Sequence, residues 1–244
     1  MRGCLTVIPA RLGSTRFPRK VLACLSGRTM VEWCWRSAVA AGLGPVLVAT
    51  DAREVADEVR RFGGKAVMTP RSCPSGSDRV WLAARGRREP VIFNYQGDMP
   101  LLKPATLRAT VRALSRGVDI ATSVIPLTDE RRAGDPNVVK AVLAESGRCL
   151  YFSRAKVPCA RDGGRSRRWE HLGLYAYRRD ALRRFVSLPP STLEKTEKLE
   201  QLRALEAGLV MRAAVVAERP VAVDVPADLR EAERILRRGK NDQA

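Results

Sequence analysis

The sequence is poor in several features that would point to particular classes of protein. Aromatic residues make up only 5% of its 244 residues, so no stacking platform for single-stranded nucleic acid is evident. No apolar run approaches the roughly 18 residues of a membrane span. The first apolar run follows Met1–Gly3 directly, so neither a membrane segment nor a signal peptide is expected and the predicted location is the cytoplasm. Six cysteines include no CxxC pair and are predicted to be free thiols.

The chain is strongly basic, with a formal net charge of +18. Such a field attracts phosphates, so nucleic-acid binding stays a weaker alternative. The basic residues are spread along the whole chain, however, and 36 of the 44 are arginine, which indicates a coding bias more than a nucleic-acid surface. A small anionic substrate would benefit from the same field. No nucleic-acid partner and no membrane partner are therefore expected.

Apolar runs alternate with helical periods through the first hundred residues. The runs predict strands and the periods predict helices, in the order strand 4–8, helix 29–42, strand 45–51, helix 52–62, strand 66–68, helix 78–87 and strand 91–95. This alternation predicts an α/β fold with a mainly parallel sheet and helices on both faces. Ligands of such sheets lie beyond the carboxyl ends of the strands, where loops beginning near Arg11, Asp51, Arg71 and Asp98 should converge.

The second half changes character. Strands are predicted at 118–126, 138–143, 151–154, 171–177, 210–216 and 220–223, and helices at 178–188, 193–207 and 226–238. The stretch Pro189–Thr192 caps the long helix 193–207, and Gly208 ends it. No linker or repeat is evident, so a single domain over 1–244 is predicted.

The loop after the first strand is a candidate polyphosphate site. It carries a glycine, two hydroxyls and three cations, namely Gly13, Ser14, Thr15, Arg11, Arg16 and Lys20. Backbone N–H groups and fixed cations in such a loop can meet phosphate oxygens. The spacing is not that of a P-loop. The alternative is an ordinary basic surface loop.

A series of short motifs runs along the chain. They are Ile8–Arg11 with Ser14–Pro18 and Lys20, Ala49–Asp51, Ser75–Arg79, Gln96–Asp98, Asp135–Lys140, Tyr151–Arg154, His171–Tyr177, Leu193–Glu194, Leu199–Arg203 and Val223–Leu229. In residues and in order, these motifs resemble the CMP-KDO synthetases (3-deoxy-manno-octulosonate cytidylyltransferases). The resemblance covers essentially the whole chain.

The resemblance implies a Rossmann-like nucleotidyltransferase that forms a homodimer and uses Mg²⁺. Such an enzyme joins CTP to the anomeric hydroxyl of an eight-carbon keto acid, KDO, and releases pyrophosphate. Acceptor binding and dimerisation are expected mostly within 118–216. Direct displacement at phosphorus needs charge neutralisation and in-line positioning, and no covalent enzyme intermediate.

The resemblance also assigns roles to individual residues. The nucleotide-binding set is Pro9, Ala10, Arg11, Ser14, Lys20, Arg71, Ser75, Gly76 and Asp98. The catalytic set is Arg11, Lys20, Asp98 and Asp224, of which Asp98 and Asp224 would hold Mg²⁺, a cation that prefers oxygen ligands. The acceptor-binding set is Gln96, Arg154, His171, Tyr175, Glu200 and Gln201.

Each assignment has a structural alternative. Asp98 follows Gly97 at a strand end, where turn-forming residues are common, and Asp224 could be the acidic residue that precedes the last helix. His171, the only histidine, could be a satisfied sheet residue. Glu200 and Gln201 could belong to a solvated helix face.

The chain departs from the family pattern at three positions near the expected crevice. Met99 stands where the family usually has glutamate, and Cys73 and Pro74 stand where it has histidine and glutamine. Two acceptors therefore remain open, namely KDO and a small carboxy-phosphonate such as phosphonoformate, which some family members cytidylylate. A non-catalytic nucleotide-binding protein of the same fold is a further alternative.

Overall fold

The computed structural model describes residues 3–13, 17–161, 164 and 166–241. It divides into two compact units, one formed by Met1–Leu107 with Pro220–Ala244 and the other by Arg108–Arg219. The expected acceptor-binding part, 118–216, lies within the range of the second unit, and the single domain stays a prediction. In the described part of the chain, no helix is both long and apolar enough to cross a membrane.

The first unit contains a parallel sheet. Its strands and the short hairpin that follows β1 are β1 Cys4–Pro9, β2 Cys24–Leu25, β3 Arg28–Thr29, β4 Val46–Thr50, β5 Lys65–Met68 and β6 Val91–Asn94. Strand β1 pairs in parallel with β4 and with β6, and β4 pairs in parallel with β5. These pairings confirm the parallel sheet that the alternating pattern predicted.

Among the described residues, five α-helices begin in the first unit. They are α1 Met30–Ala40, α2 Arg53–Arg61, α3 Gly76–Ala84, α4 Pro104–Arg112 and, after the second unit, α9 Pro226–Asn241. Helix α3 begins two residues before the predicted start because the Ser75 hydroxyl caps it by accepting from the Asp78 N–H at 3.2 Å. Helix α4 was not predicted, and the boundary between the units falls inside it.

The part of the second unit that the structure describes contains a mixed sheet and four short helices. Its elements are β7 Ile120–Pro126, α5 Glu130–Gly134, β8 Lys140–Leu143, β9 Cys149–Ser153, β10 Trp169–Arg178, α6 Arg179–Ser187, α7 Thr192–Glu197, α8 Gln201–Glu206 and β11 Met211–Val215. Strand β10 is antiparallel to β7 and β8, β8 is antiparallel to β9, and β11 is parallel to β7.

The predicted long helix 193–207 is wrong, because the chain breaks into α7 and α8 at Lys198. Lys198 adopts left-handed backbone angles, φ 55° and ψ 45°. The guanidinium of Arg154 donates to the Glu197 carbonyl at 2.7 Å and to the Lys198 carbonyl at 3.3 Å. These bonds satisfy two carbonyls that a continuous helix would have paired with its own N–H groups. A long-range side chain therefore stabilises the break.

The predicted strand 220–223 is also wrong. Residues 217–225 form no regular element. Val223 is fully buried in a cluster with Leu25, Met30 and Ala232, and its N–H donates to the Asp98 carbonyl at 2.8 Å. The apolar pattern that suggested a strand therefore reflects packing of an irregular segment.

We expect Lys198→Gly to stabilise the protein modestly. A non-glycine residue in the left-handed region costs roughly 1–2 kcal/mol, of which part is offset because glycine also loosens the unfolded chain. The expected gain is about 0.5–1 kcal/mol in the free energy of unfolding, measured by urea denaturation. Lys195→Gly, inside α7, is the matched control and should lose about 1 kcal/mol. A loss of stability in both variants would contradict the assignment of strain to Lys198.

Candidate functional site

A cavity of about 450 Å³ lies in the first unit at the carboxyl ends of its parallel strands. Its lining comes from the loops that follow β1, β4, β5 and β6 and from the start of α3, and consists of Pro9, Arg11, Gly13, Asp51, Arg71, Cys73, Pro74, Ser75, Gly76, Arg79 and Gln96. The expected convergence of these loops is therefore confirmed. The lining includes three guanidinium groups and the amino-terminal end of a helix, a combination suited to an anion.

The sequence-based nucleotide set falls mostly on this cavity. Five of its members line the cavity, namely Pro9, Arg11, Arg71, Ser75 and Gly76. Ala10 is instead fully buried, and its N–H extends the sheet by donating to the Ala49 carbonyl at 2.8 Å. Ser14 lies outside the described residues. Lys20 and Asp98 belong to a separate group of charges described below.

Gly97 lets the loops approach closely, whereas a side chain at Gly76 would make only ordinary van der Waals contact. A Cβ at Gly76 would lie 3.5 Å from Gln96 Nε2, and one at Gly97 would lie 3.1 Å from the Pro9 carbonyl oxygen. The same Gln96 nitrogen donates to Asn94 Oδ1 at 3.0 Å, which holds the amide in place. Gln96, predicted for the acceptor, thus lines the same cavity as the predicted nucleotide residues.

A buried ion pair forms one wall of the cavity. Arg79 donates to Asp51 Oδ2 at 3.1 Å and to Thr69 Oγ1 at 2.6 Å, and its side chain is only 5% exposed. Neither Arg79 nor Asp51 was among the predicted site residues. The signal was present, because Asp51 ends a strand and Arg79 stands in the Ser75–Arg79 motif. Cys73 and Pro74, two of the departures from the family pattern, also line this cavity.

Lys20 lies between two carboxylates that are distant in sequence. Its Nζ is 2.9 Å from Asp224 Oδ1 and 3.5 Å from Asp98 Oδ2. The lysine sits in a one-turn 3₁₀ helix, Lys20–Leu22, entered through Arg19, whose φ is 60°. The side chain of Arg19 is paired with Glu54. The ammonium group of Lys20 thus contacts two carboxylates at once.

The backbone brings the two carboxylates together. The bond from Val223 N–H to the Asp98 carbonyl joins the residue before Asp224 to Asp98 itself. The Asp228 carboxylate accepts from the N–H groups of Asp224 and Val225, at 2.8 and 3.0 Å, at the start of α9. Asp228 therefore caps this helix end, and the Asp224 carboxylate contacts Lys20 instead. This weakens the alternative that Asp224 serves only to start the last helix.

Burial raises the pKa of Asp98 above its ordinary value, and the neighbouring Asp224 carboxylate adds to this, while Lys20 opposes it. About a third of the Asp98 side chain, 35%, is nevertheless exposed.

The loop that follows β6 is also held from the interior, because the Tyr95 hydroxyl donates to the Met99 carbonyl at 2.7 Å. Met99, the third departure from the family pattern, is itself buried and packs into the interior. A carboxylate held at a partly buried, negatively charged position is suited to bind a cation.

In the second unit, the predicted acceptor residue Arg154 is held by backbone carbonyls. Besides the Glu197 and Lys198 carbonyls, its guanidinium donates to the Pro136 carbonyl at 2.8 Å. Behind it the fully buried Lys140 donates from Nζ to the Asp135, Val138 and Arg154 carbonyls, at 2.9, 2.6 and 2.5 Å. The burial of Lys140 lowers its pKa. This network fixes the turn that leads to Glu200 and Gln201.

The other predicted acceptor residues surround this turn or lie on β10. Gln201 is buried, so the alternative of a solvated face does not hold for it. Glu200 lies 4.0 Å from the Arg203 guanidinium. His171 and Tyr175 lie on β10 with their ring centres 5.4 Å apart. Within the second unit, Arg154, Glu200 and Gln201 thus lie at or beside one turn, and His171 and Tyr175 lie on one strand.

A family model described as cytidylyltransferase matches residues 5–216. The chain belongs to this cytidylyltransferase family. The 3-deoxy-manno-octulosonate cytidylyltransferases of Methylobacterium radiotolerans and Paramagnetospirillum magneticum are each 50% identical to it, over 95% and 96% of this chain and 96% and 97% of theirs.

A solved structure extends the family likeness to three dimensions. It is described as CMP:2-keto-3-deoxy-manno-octonic acid synthetase complexed with CTP. The superposition gives a TM-score of 0.93 at 35% identity, covering 97% of this chain and 99% of that one. The predicted Rossmann-like nucleotidyltransferase fold with a mainly parallel, mixed sheet is confirmed. Membership of the family also makes the protein a nucleotidyltransferase.

We expect Asp51→Asn to destabilise the protein by about 3 kcal/mol, because it leaves the buried guanidinium of Arg79 without its counter-charge. Urea denaturation measures the change in the free energy of unfolding. The matched control is Asp57→Asn, which removes a carboxylate from an ion pair that is 70% exposed on its acidic side and should cost no more than about 0.5 kcal/mol. Equal losses in the two variants would show that the Arg79 pair does not stabilise the cavity wall.

Proposed function

We propose that this protein transfers CMP from CTP to KDO and releases pyrophosphate. The observation that carries the proposal is the contact of Lys20 with two carboxylates. In the same unit, loops that contain the family motifs form a cavity lined by arginines. The names of its relatives, and the CTP-bound state of the solved family member, support the choice of donor and acceptor. Homodimer formation and a cytoplasmic location remain predictions.

The proposed reaction is a direct displacement. The anomeric hydroxyl oxygen of KDO forms a bond to the α-phosphorus of CTP and gives up its proton, while the bond from that phosphorus to the bridging oxygen of the β-phosphate breaks and pyrophosphate leaves. The barrier falls when the negative charge on the phosphoryl oxygens is offset and the reacting groups are held in line. Arg11 supplies a planar guanidinium and Lys20 a compact charge for the triphosphate.

Magnesium is the metal that we propose for this reaction, held by Asp98 and Asp224. The donor set fits, since Mg²⁺ is commonly bound by one or two carboxylates and completes its shell with water and substrate phosphates. Among the described residues no group of three or more His, Cys, Asp and Glu side chains forms a complete protein cage. The ion would neutralise charge on the phosphates. Lys20 offsets part of the carboxylate repulsion through its two contacts.

Asp98→Asn is expected to reduce kcat by at least about 100-fold, the scale on which one electrostatic contact to developing charge affects turnover. Because the pKa of Asp98 is raised, its charge disfavours the folded state at neutral pH, and this penalty is relieved as the pH falls through that pKa. Asp98→Asn should therefore leave the melting temperature unchanged or slightly higher. The control is Asp57→Asn, because the Asp57 carboxylate is exposed. Asp119→Asn is less suitable, because the Asp119 carboxylate accepts a hydrogen bond from a backbone N–H. Wild-type turnover by Asp98→Asn would exclude a metal-binding role for Asp98.

An acceptor panel identifies the second substrate. Pyrophosphate release is measured with CTP and Mg²⁺ in the presence of KDO, of phosphonoformate or of no acceptor, and the CMP-linked product is identified by mass spectrometry. We expect release with KDO. Release with phosphonoformate and not with KDO would show that the acceptor is a small carboxy-phosphonate. CTP binding without release for any acceptor would favour a non-catalytic nucleotide-binding protein, and salt-sensitive binding of nucleic acid without CTP would favour the nucleic-acid alternative.

A further inference from the structure

The only histidine of the chain makes a hydrogen bond whose direction can be determined. His171 Nε2 lies 2.8 Å from the hydroxyl oxygen of Thr122, which is fully buried on the neighbouring strand β7. The same hydroxyl donates its proton to the Leu174 carbonyl oxygen at 2.7 Å. A hydroxyl has one proton, and a carbonyl oxygen can only accept. Thr122 must therefore accept from His171, and Nε2 carries the hydrogen.

The local backbone explains why the Leu174 carbonyl is available to a side chain. The pairing of β10 with β7 is irregular between His171 and Tyr175. Gly173 lies at this irregularity with φ +66°, a conformation that glycine adopts without strain. Three residues of β10, 172–174, thus lie opposite one residue of β7, and the Leu174 carbonyl accepts from the Thr122 hydroxyl. The bulge and the hydroxyl thus act together on His171.

The imidazole is held neutral as well as in one tautomer. Its ring packs against Phe152, with the centres 4.8 Å apart, and against Tyr175. Burial lowers the pKa of His171 to about 3, and burial also raises the pKa of Tyr175 well above its ordinary value, so the neighbouring phenol is neutral too. A neutral imidazole that is protonated at Nε2 presents a lone pair at Nδ1. In the described part of the chain, no hydrogen bond to Nδ1 is present, and the residue keeps partial exposure.

We propose that Thr122 is a positioning residue that fixes His171 as the Nε2–H tautomer, so that Nδ1 accepts a hydrogen bond from a hydroxyl group of the acceptor substrate. This inference rests on the proposed function and on the acceptor-binding role that the family resemblance implies for His171. A lone pair at Nδ1 favours a hydroxyl donor and disfavours a carboxylate oxygen. His171 then selects for a polyhydroxylated acid and gives no advantage to phosphonoformate, which has no alcohol group.

The tautomer is measured directly on the untagged protein labelled with ¹⁵N-histidine. Because the chain has one histidine, a long-range ¹H–¹⁵N spectrum reports His171 alone. We expect Nε2 to be protonated and Nδ1 unprotonated from about pH 5 to pH 8, the range in which an ordinary histidine titrates. A protonated Nδ1 in the wild-type protein, or a titration within that range, would overturn the inference without any assay of activity.

Thr122→Val removes the hydroxyl and keeps the shape of the side chain. We expect its spectrum to show a mixture of tautomers, and the KM for KDO to rise about tenfold with the KM for CTP and kcat nearly unchanged, as loss of one oriented hydrogen bond implies. Thr122→Ser restores the hydroxyl and should restore both the spectrum and the KM. Ser123→Ala is the matched control, since it removes a neighbouring buried hydroxyl, bonded to Thr110 at 2.6 Å, that does not contact His171.

The outcomes separate this inference from the proposed function. If KDO is turned over but Thr122→Val changes neither the spectrum nor the KM for KDO, the role of Thr122 is wrong and the function stands. If no acceptor of the panel is turned over while the wild-type tautomer is as expected, the function and the substrate contact fail together and only the tautomer assignment survives. A rise in the KM for KDO in Ser123→Ala equal to that in Thr122→Val would attribute the effect to general loosening and overturn the inference.

Discussion

The ammonium group of Lys20 and the two carboxylates that face it are the interaction on which the candidate site depends. Asp98 follows the last strand of the parallel sheet, and Asp224 comes from the segment that returns to the first unit near the end of the chain. The two carboxylates repel each other. They are tolerated because the Lys20 ammonium group contacts both of them and because backbone hydrogen bonds fix the two loops that carry them. The protein holds this unfavourable arrangement where cation binding can make it useful.

The parallel sheet and the convergence of its loops could be predicted from sequence because they depend on local patterns. Alternating strands and helices leave few topologies, and those place the strand-end loops together. The break at Lys198 could not be predicted in this way, since Leu193–Ala207 has a helical pattern and the cause lies in Arg154, more than forty residues earlier. The pairing of Arg79 with Asp51 likewise depends on burial, which a sequence does not display. Motif resemblance supplied what periodicity could not, namely the distant partner Asp224.

Four arginines stabilise turns and the ends of helices and strands. Arg154 binds the carbonyls at the end of α7, and Arg178, Arg184 and Arg203 donate to carbonyls near the ends of other elements. A guanidinium has five donors in a planar fork, so it satisfies several carbonyls that a loop leaves unpaired. At these four positions arginine therefore has a structural role within the protein.

The packing of Val223 and Ala232 against Leu25 and Met30 has a consequence for the order in which the site is assembled on the ribosome. The segment that carries Asp224 is synthesised 204 residues after its partner Lys20. Contacts of such sequence separation form after the local ones, because closing a long loop carries a larger entropic cost. The strands of the parallel sheet, which end at Asn94, are therefore complete before Asp224 is synthesised, and the charge cluster can form only once Asp224 has emerged.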